Sequence, residues 1–307
     1  MNKIKLYVYP NAKPHVHDVD YPEYYNTVPL SKKGIEEHCI LTGPERADYF
    51  YMGQLANDRW NQFNPSQFQY FFGNENRHIC DIEGEGGQHI PDWLHSSIIT
   101  TMGPLKKYSN IYKLFARPTF SKLLLHIINT VKEDFTTPDR ISFGFKGFIN
   151  CQTRAQLAQG LQFPSVIEKE LSINNKWNGP SEPGSTIQKE YIDMMMRHLV
   201  SLCPRGSGID SVRLIESCYY NRVPVLISDE DYYLVGEDSY DTDFCFRYIN
   251  PNISPFELQD LLQSIYDEGI DELKNRSILA RKYFDNVIVE YFKDPTLFFL
   301  KWLNSGK

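Results

Sequence analysis

The sequence predicts an α/β protein built as two α/β domains facing across a cleft. Three observations predict it. Short apolar runs of strand length alternate with stretches of helical periodicity, and they do so in two blocks. Thr136-Thr137-Pro138-Asp139 breaks the pattern between the blocks, dividing the chain into 1–138 and 139–307. In the second block a strand runs through a glycine-containing loop into a helix, the local geometry with which open α/β sheets bind ligands outside the carboxyl ends of their strands. The length of 307 residues suits two domains.

In the first block Ile4–Tyr9 alternates like a strand and is closed by Pro10-Asn11. A loop rich in Pro, His and Tyr follows, through Pro29. Residues 47–52 (Ala-Asp-Tyr-Phe-Tyr-Met), 77–82 (Arg-His-Ile-Cys-Asp-Ile) and 97–102 are short apolar runs of the kind buried in a parallel sheet. Thr119–Lys132 carries Leu123, Leu124, Ile127, Ile128 and Val131 on one helical face.

The second block opens with a strand over Arg140–Phe145. Thr153 is placed to cap a helix through Arg154, Leu157 and Leu161. Asn174–Ser185 is a polar loop, Ile187–Met196 a helix, Leu199–Cys203 a strand and Ser211–Tyr220 a helix. Val223–Ile227 is a strand whose Pro224 must sit where no ladder donor is required. Helices over Pro255–Tyr266, Gly269–Phe284 and Pro295–Trp302 close the chain, the last of them, about 286–307, a candidate to cross back onto the N-terminal domain.

Composition excludes several classes. Hydrophobic residues at 41% and charged residues at 23% rule out disorder, collagen and coiled coil. A net charge of -7 argues against a nucleic-acid partner, which would require a basic face. Aromatics reach 14%, enough for a thick core and for a cleft that grips ring-shaped ligands. The six cysteines, at 39, 80, 151, 203, 218 and 245, show no CxxC spacing and read as reduced thiols rather than a zinc site or a disulfide frame. No run approaches the ~18–20 apolar residues of a membrane span, and the N-terminus has no signal-peptide core. Asn252-Ile-Ser and Asn275-Arg-Ser then match the glycosylation pattern by chance.

The informative segment is Ser201–Asp229. Gly206 and Gly208 allow a tight turn with exposed amides. The helix that follows, from Asp210 or Ser211, turns its unpaired N–H groups and positive dipole end toward that loop. Arg205 and Arg213 add two cations, and the whole suits a diphosphate. Glu216, one and a half turns in, has the chemistry to accept hydrogen bonds from two ribose hydroxyls. The competing reading is a helix cap at Asp210 or Ser211 and a surface i,i+3 pair of Arg213 with Glu216. Neither a dinucleotide fingerprint nor a Walker loop is present. Pro10-Asn11-Ala12 after the first strand disfavours a Rossmann oxidoreductase.

Cys203-Pro204-x-Gly206, Asp210-Ser211-x-Arg213-x-x-Glu216 and Val223-Pro224-Val225-Leu226-Ile227-x-Asp229 resemble the C-terminal signature of the exostosin-like glycosyltransferases, family 47. Weaker likeness covers Lys5–Tyr9, Ala47–Phe50 (followed here by Met52-Gly53 rather than an apolar–Pro step) and Ile141–Gly147 with Arg154 and Leu157. The resemblance implies a GT-B fold of two Rossmann-like domains and an inverting transfer from a UDP-sugar to a glycan or glycoprotein hydroxyl, UDP-xylose being the first donor to test. It implies a nucleotide-sugar domain at 139–307, an acceptor-side domain at 1–138, and no metal. By position, Arg205, Gly206, Asp210, Ser211 and Arg213 would surround the diphosphate, with Arg154 in reach, and Glu216 would hold the ribose. The chain lacks the membrane anchor and stem of eukaryotic members, which points to a cytoplasmic enzyme of a bacterium or a virus-infected host.

Inversion needs a base opposite the leaving diphosphate. Residues 81–89 (Asp-Ile-Glu-Gly-Glu-Gly-Gly-Gln-His) follow a strand in the N-terminal block, which makes Glu83 and Asp81 the first candidates, then Glu85 and His89. His15 and His17 come behind. Asp241-Thr-Asp243 matches a metal-binding DxD in letter only and reads as loop. Trp60, Tyr70, Trp93 and Trp177 are candidates to stack on sugar or uracil. A different class, a non-catalytic glycan- or nucleotide-binding protein on the same fold, is the alternative.

Overall fold

A computed structural model describes residues 3–10, 12, 29–55, 64–85, 90–118, 123–124, 126, 135–174, 184–206 and 208–306. Its two sheets are entirely parallel, and the chain divides into two compact units.

The first unit comprises Met1–Pro118, Tyr232–Asp238 and Glu290–Lys307. Its strands are β1 (Ile4–Val8), β2 (Cys39–Leu41), β3 (Tyr49–Leu55), β4 (His78–Glu85), β5 (Ile98–Met102) and β6 (Lys113–Arg117), in the order β2-β1-β3-β4-β5-β6. The inner strands are apolar on both faces, as a doubly covered sheet requires; all five residues of β5 are buried. One face packs an aromatic core of Tyr9, Phe50, Phe68 and Phe71 around His78. Burial pushes the His78 imidazole down to about 4. Its Nδ1 faces the Asn74 carbonyl at 2.8 Å and so carries the proton, leaving Nε2 to accept from the Tyr9 hydroxyl at 2.9 Å.

Helix α1 (Lys32–His38) is capped by Ser31, whose Oγ accepts from the Gly34 amide at 3.1 Å. A β-carbon at Gly34 would fall 1.7 Å from the Thr296 Oγ1 of the C-terminal helix. Gly34→Ala should therefore cost about 1–3 kcal/mol by overpacking, read as a lower urea midpoint; an unchanged midpoint would show that the helices separate freely.

The second unit comprises Thr119–Asp231 and Ser239–Val289. Its strands β7 (Ser142–Phe148), β8 (Glu168–Asn174), β9 (Val200–Pro204), β10 (Val223–Ser228) and β11 (Phe246–Ile249) lie in the order β11-β10-β9-β7-β8. The helices are α2 (Gln152–Leu161), α3 (Thr186–Arg197), α4 (Val212–Tyr219), α5 (Pro255–Asp267) and α6 (Ile270–Tyr283). Phe143, Phe145, Leu202, Val225 and Ile227 join Leu157, Leu258 and Leu262 in one buried core. Pro224 sits in an inner strand without breaking a ladder. Val223 donates to the Leu199 carbonyl at 3.0 Å, so the alternate position 224 faces the other neighbour, β11, whose pairing starts only at Val225.

A π-helical turn, Phe284–Ile288, follows α6, and the chain then enters the first unit through α7 (Val289–Lys293) and α8 (Pro295–Asn304). Phe115 packs among Tyr291, Phe299 and Trp302, and Trp302 Nε1 donates to Asp238 at 2.9 Å, which ties both returning segments to the first unit.

The units divide at Pro118, upstream of the Pro138 break. Phe135 packs on Tyr219 and Tyr220, and the carbonyls of Phe135 and Thr136 accept from Asn221 and Arg222, so these residues belong to the second unit. The expected helix over 119–132 lies mostly outside the described residues. Thr153 is not a helix cap: Cys151 occupies that position and makes no side-chain cap bond. None of the six cysteines forms a disulfide, and five of them are buried. No described helix is long and apolar enough to cross a membrane.

Candidate functional site

In the second unit the chain passes from β7 to β8 on one side and then to β9 on the other. Such a reversal opens a crevice at the carboxyl ends of the two diverging strands. Here the opening is wide. β7 pairs with β8 over seven residues but with β9 only at Phe143–Val200 and Gly144–Ser201. Beyond that the carbonyls of Lys146 and Leu202 have no ladder partner across the gap.

Arg213, in the first turn of α4, fills it. Nη2 donates to the Lys146 carbonyl and Nη1 to Leu202 O at 3.4 Å, so one guanidinium bridges the splayed strands. Its faces are covered by Phe145, 4.5 Å from the ring centre, and Tyr191, at 5.0 Å. Nε donates to the Tyr191 hydroxyl at 3.2 Å, and that hydroxyl donates to Glu216 Oε2 at 2.6 Å. Both Arg213 and Glu216 are buried, so the surface-pair reading of these two residues fails.

Two more arginines stand beside this strut. Arg154 Nε donates to the Arg205 carbonyl at 2.9 Å and Nη1 to Phe148 O at 3.0 Å, gathering the loops after β7 and β9. Burial and then the nearby Arg213 charge push the Arg154 guanidinium down to about 10, with Arg205 adding to the fall. Arg205 Nε is 2.7 Å from Asp229 Oδ2, and Asp229 Oδ1 accepts from Thr153 Oγ1 at 2.7 Å. Thr153, expected as a cap, thus anchors the counter-ion of Arg205. A β-carbon at Gly206 would come to 3.6 Å from Arg154 Nη2, which places this backbone against the arginine cluster.

The loop into α4 is held from below. Gly206 N donates to the Asp210 carbonyl at 3.3 Å, and Ser228 Oγ to Ile209 O at 3.0 Å. Asp210 and Ser211 are buried. Ser211 occupies the N-cap position of α4 without a side-chain cap bond. The seven residues named from the sequence for the donor side lie on helix α2 (Arg154), on the loop after β9 (Arg205, Gly206, Asp210, Ser211) and on helix α4 (Arg213, Glu216).

No family model and no curated protein matches the chain. Among solved structures, a glycosyltransferase from Rickettsia africae ESF-5 is similar at a TM-score of 0.37 and 12% identity, over 97% of this chain and 98% of that one. A likeness of that size does not bear on the chemistry, which rests on the residues.

Three of the four expected bases fall in one strand, β4. Asp81, in β4, is fully buried; Oδ2 accepts from Tyr51 at 2.6 Å and Oδ1 accepts from Thr100. A base must reach the proton it takes, so this enclosure moves Asp81 from the front of the order to behind Glu83. Glu83 and Glu85 belong to β4 by their backbone, and His89 lies outside the described residues, as do His15, His17, Trp60 and Trp177. Tyr70 and Trp93 pack against the aromatic core of the first unit. Asp241 and Asp243 lie in a loop, with the Asp243 amide bonded to Asp241 Oδ1 at 2.9 Å. Sequence reasoning missed Tyr191 and gave Thr153 and Asp229 no part in the site. Nothing in local spacing marks them, because their partners lie 25, 76 and 24 residues away in the chain.

Proposed function

We propose that the second unit binds the diphosphate of a nucleotide sugar and that the protein is a glycosyltransferase. The observation that carries this is the gathering of Arg154, Arg205 and Arg213 at the carboxyl ends of β7 and β9, where their charges act on one another at partial burial. Three guanidiniums held together against their mutual repulsion are stabilised by an anion of more than one charge. The amide end of α4 adds donors for the same anion. Glu216, at the second turn of α4, supplies the acceptor for a ribose.

In this reading the reaction is a single inverting displacement by an acceptor hydroxyl on the anomeric carbon of a UDP-sugar, UDP-xylose first among donors, in a GT-B fold. As the sugar–phosphate bond breaks, negative charge grows on the leaving diphosphate, and the arginine cluster with the α4 amides offsets it. The hydroxyl proton passes to a carboxylate or imidazole, for which Glu83, Glu85 and His89 are proposed.

Arg205→Ala and Arg154→Ala should each weaken UDP binding by about 10–100-fold in calorimetry, the worth of charge-assisted hydrogen bonds. Unchanged affinity in both variants would end the donor assignment.

A further inference from the structure

Resting on the donor reading above, we infer that Tyr191 is a positioning residue that presets Arg213 and Glu216 for the nucleotide. Its single hydroxyl is engaged twice, accepting from Arg213 Nε at 3.2 Å and donating to Glu216 Oε2 at 2.6 Å. Its ring centre lies 5.0 Å from the Arg213 guanidinium carbon, beside Phe145 at 4.5 Å.

The geometry explains why such a residue is needed. Arg213 and Glu216 are three positions apart on α4, close enough to meet directly as an ion pair. Collapsed onto each other they would neutralise the charges that a ligand must find. The phenol inserted between them satisfies one donor of the arginine and one oxygen of the carboxylate, and it fixes the plane of the guanidinium by stacking. Burial pushes the Tyr191 phenol well above its ordinary range, so it keeps its proton and remains a donor to Glu216. Tyr191 itself is carried by α3, which starts at a Ser185 cap: Ser185 Oγ accepts from the Gln188 amide at 3.3 Å. The neighbouring Glu190 pairs with Lys146 at 2.7 Å, and Lys146 supplies the carbonyl that holds Arg213 Nη2. Helix α3 and strand β7 are thus joined on both sides of the arginine.

The test uses the full chain. Calorimetry with UDP and GDP on the wild-type protein identifies the tighter diphosphate, and its 2′-deoxy form is measured beside it. Tyr191→Phe keeps the ring over Arg213 and removes the hydroxyl. The inference expects its affinity for the diphosphate to fall by about tenfold or more. It also expects the preference for the ribose form over the 2′-deoxy form to shrink toward one, because Glu216 is no longer held. Tyr191→Leu, which also removes the stack, should bind more weakly still. If Tyr191→Phe binds like wild type, the inference is overturned and the donor reading stands. If its affinity falls while the ribose preference stays at the wild-type value and the melting temperature drops, Tyr191 is only a packing residue and the inference is likewise overturned. If the wild-type protein binds neither UDP nor GDP, the donor reading fails, and the inference with it.

Discussion

Replacing Arg222 by alanine is expected to destabilise the protein by about 3–5 kcal/mol, lowering the urea midpoint with little change in slope. Arg222 is fully buried and has no carboxylate partner among the described residues. Its donors go to carbonyls instead: Nε to Met195 at 2.9 Å, Nη1 to Asn221 at 3.0 Å and Thr136 at 3.2 Å, and Nη2 to Met196 at 3.1 Å. Met195 and Met196 belong to the last turn of α3, whose carbonyls have no partner further along the helix and carry its negative dipole end. The cation therefore caps one helix and pins the chain at Thr136 in a single contact. Burial pushes its guanidinium down to about 10, which still leaves it charged. Alanine would strand four carbonyls, one buried and three partly buried, and leave a cavity. Arg222→Lys, with a compact ammonium in place of the planar fork, should recover part of the loss and no more. Equal stability of Arg222→Ala and wild type would show that water enters and replaces the guanidinium.

Asp81 should make the protein less stable as pH rises from below 3.8 to above 6, by about 3 kcal/mol. Burial pushes its carboxyl up to about 6, against the opposing pull of Arg117 and of the Tyr51 hydrogen bond. The sign follows from the proton count. Between 3.8 and about 6 the folded protein holds a proton on Asp81 that the unfolded chain has released. The stabilisation is thus complete below 3.8 and gone above 6. Asp81→Asn cannot titrate, yet it fits the same space and can donate to one of Tyr51 and Thr100 while accepting from the other. Urea midpoints of both proteins at either end of this window isolate the contribution, since groups common to both cancel in the difference. Asn should gain on wild type as pH rises; a constant difference would mean that Asp81 ionises at its ordinary pKa in the fold.

How far the fold was legible follows burial pattern. The inner strands β1, β3, β4, β5, β7, β9 and β10 announce themselves as apolar runs, because both faces are covered. Strands β2, β6, β8 and β11 were not read. All four lie at sheet edges; β2 and β11 are only three and four residues long, and β8 reads as the polar Glu-Lys-Glu-Leu-Ser-Ile-Asn. The helices after Pro255 and Pro295 were legible from their caps: Ser254 and Glu257 form a capping box, and Asp294 Oδ1 accepts from the Leu297 amide at 2.8 Å.

The same division governs the site. Gly206, Arg205, Arg213 and Glu216 could be named from their order, since a strand, a turn and a helix of fixed pitch set their spacing locally. What Arg213 does there could not. Its role as a strut depends on how far β7 and β9 diverge, on Phe145 and Tyr191 both packing against it, and on Tyr191 arriving from α3. Likewise Asp81 looks like an available acid in a glycine-rich turn until Tyr51 and Thr100 close on it from neighbouring strands. Residue type and short-range spacing report what a chain can do within one turn or one loop. Burial, and the partner that removes or preserves a charge, come from segments tens of residues away, and packing alone brings those together.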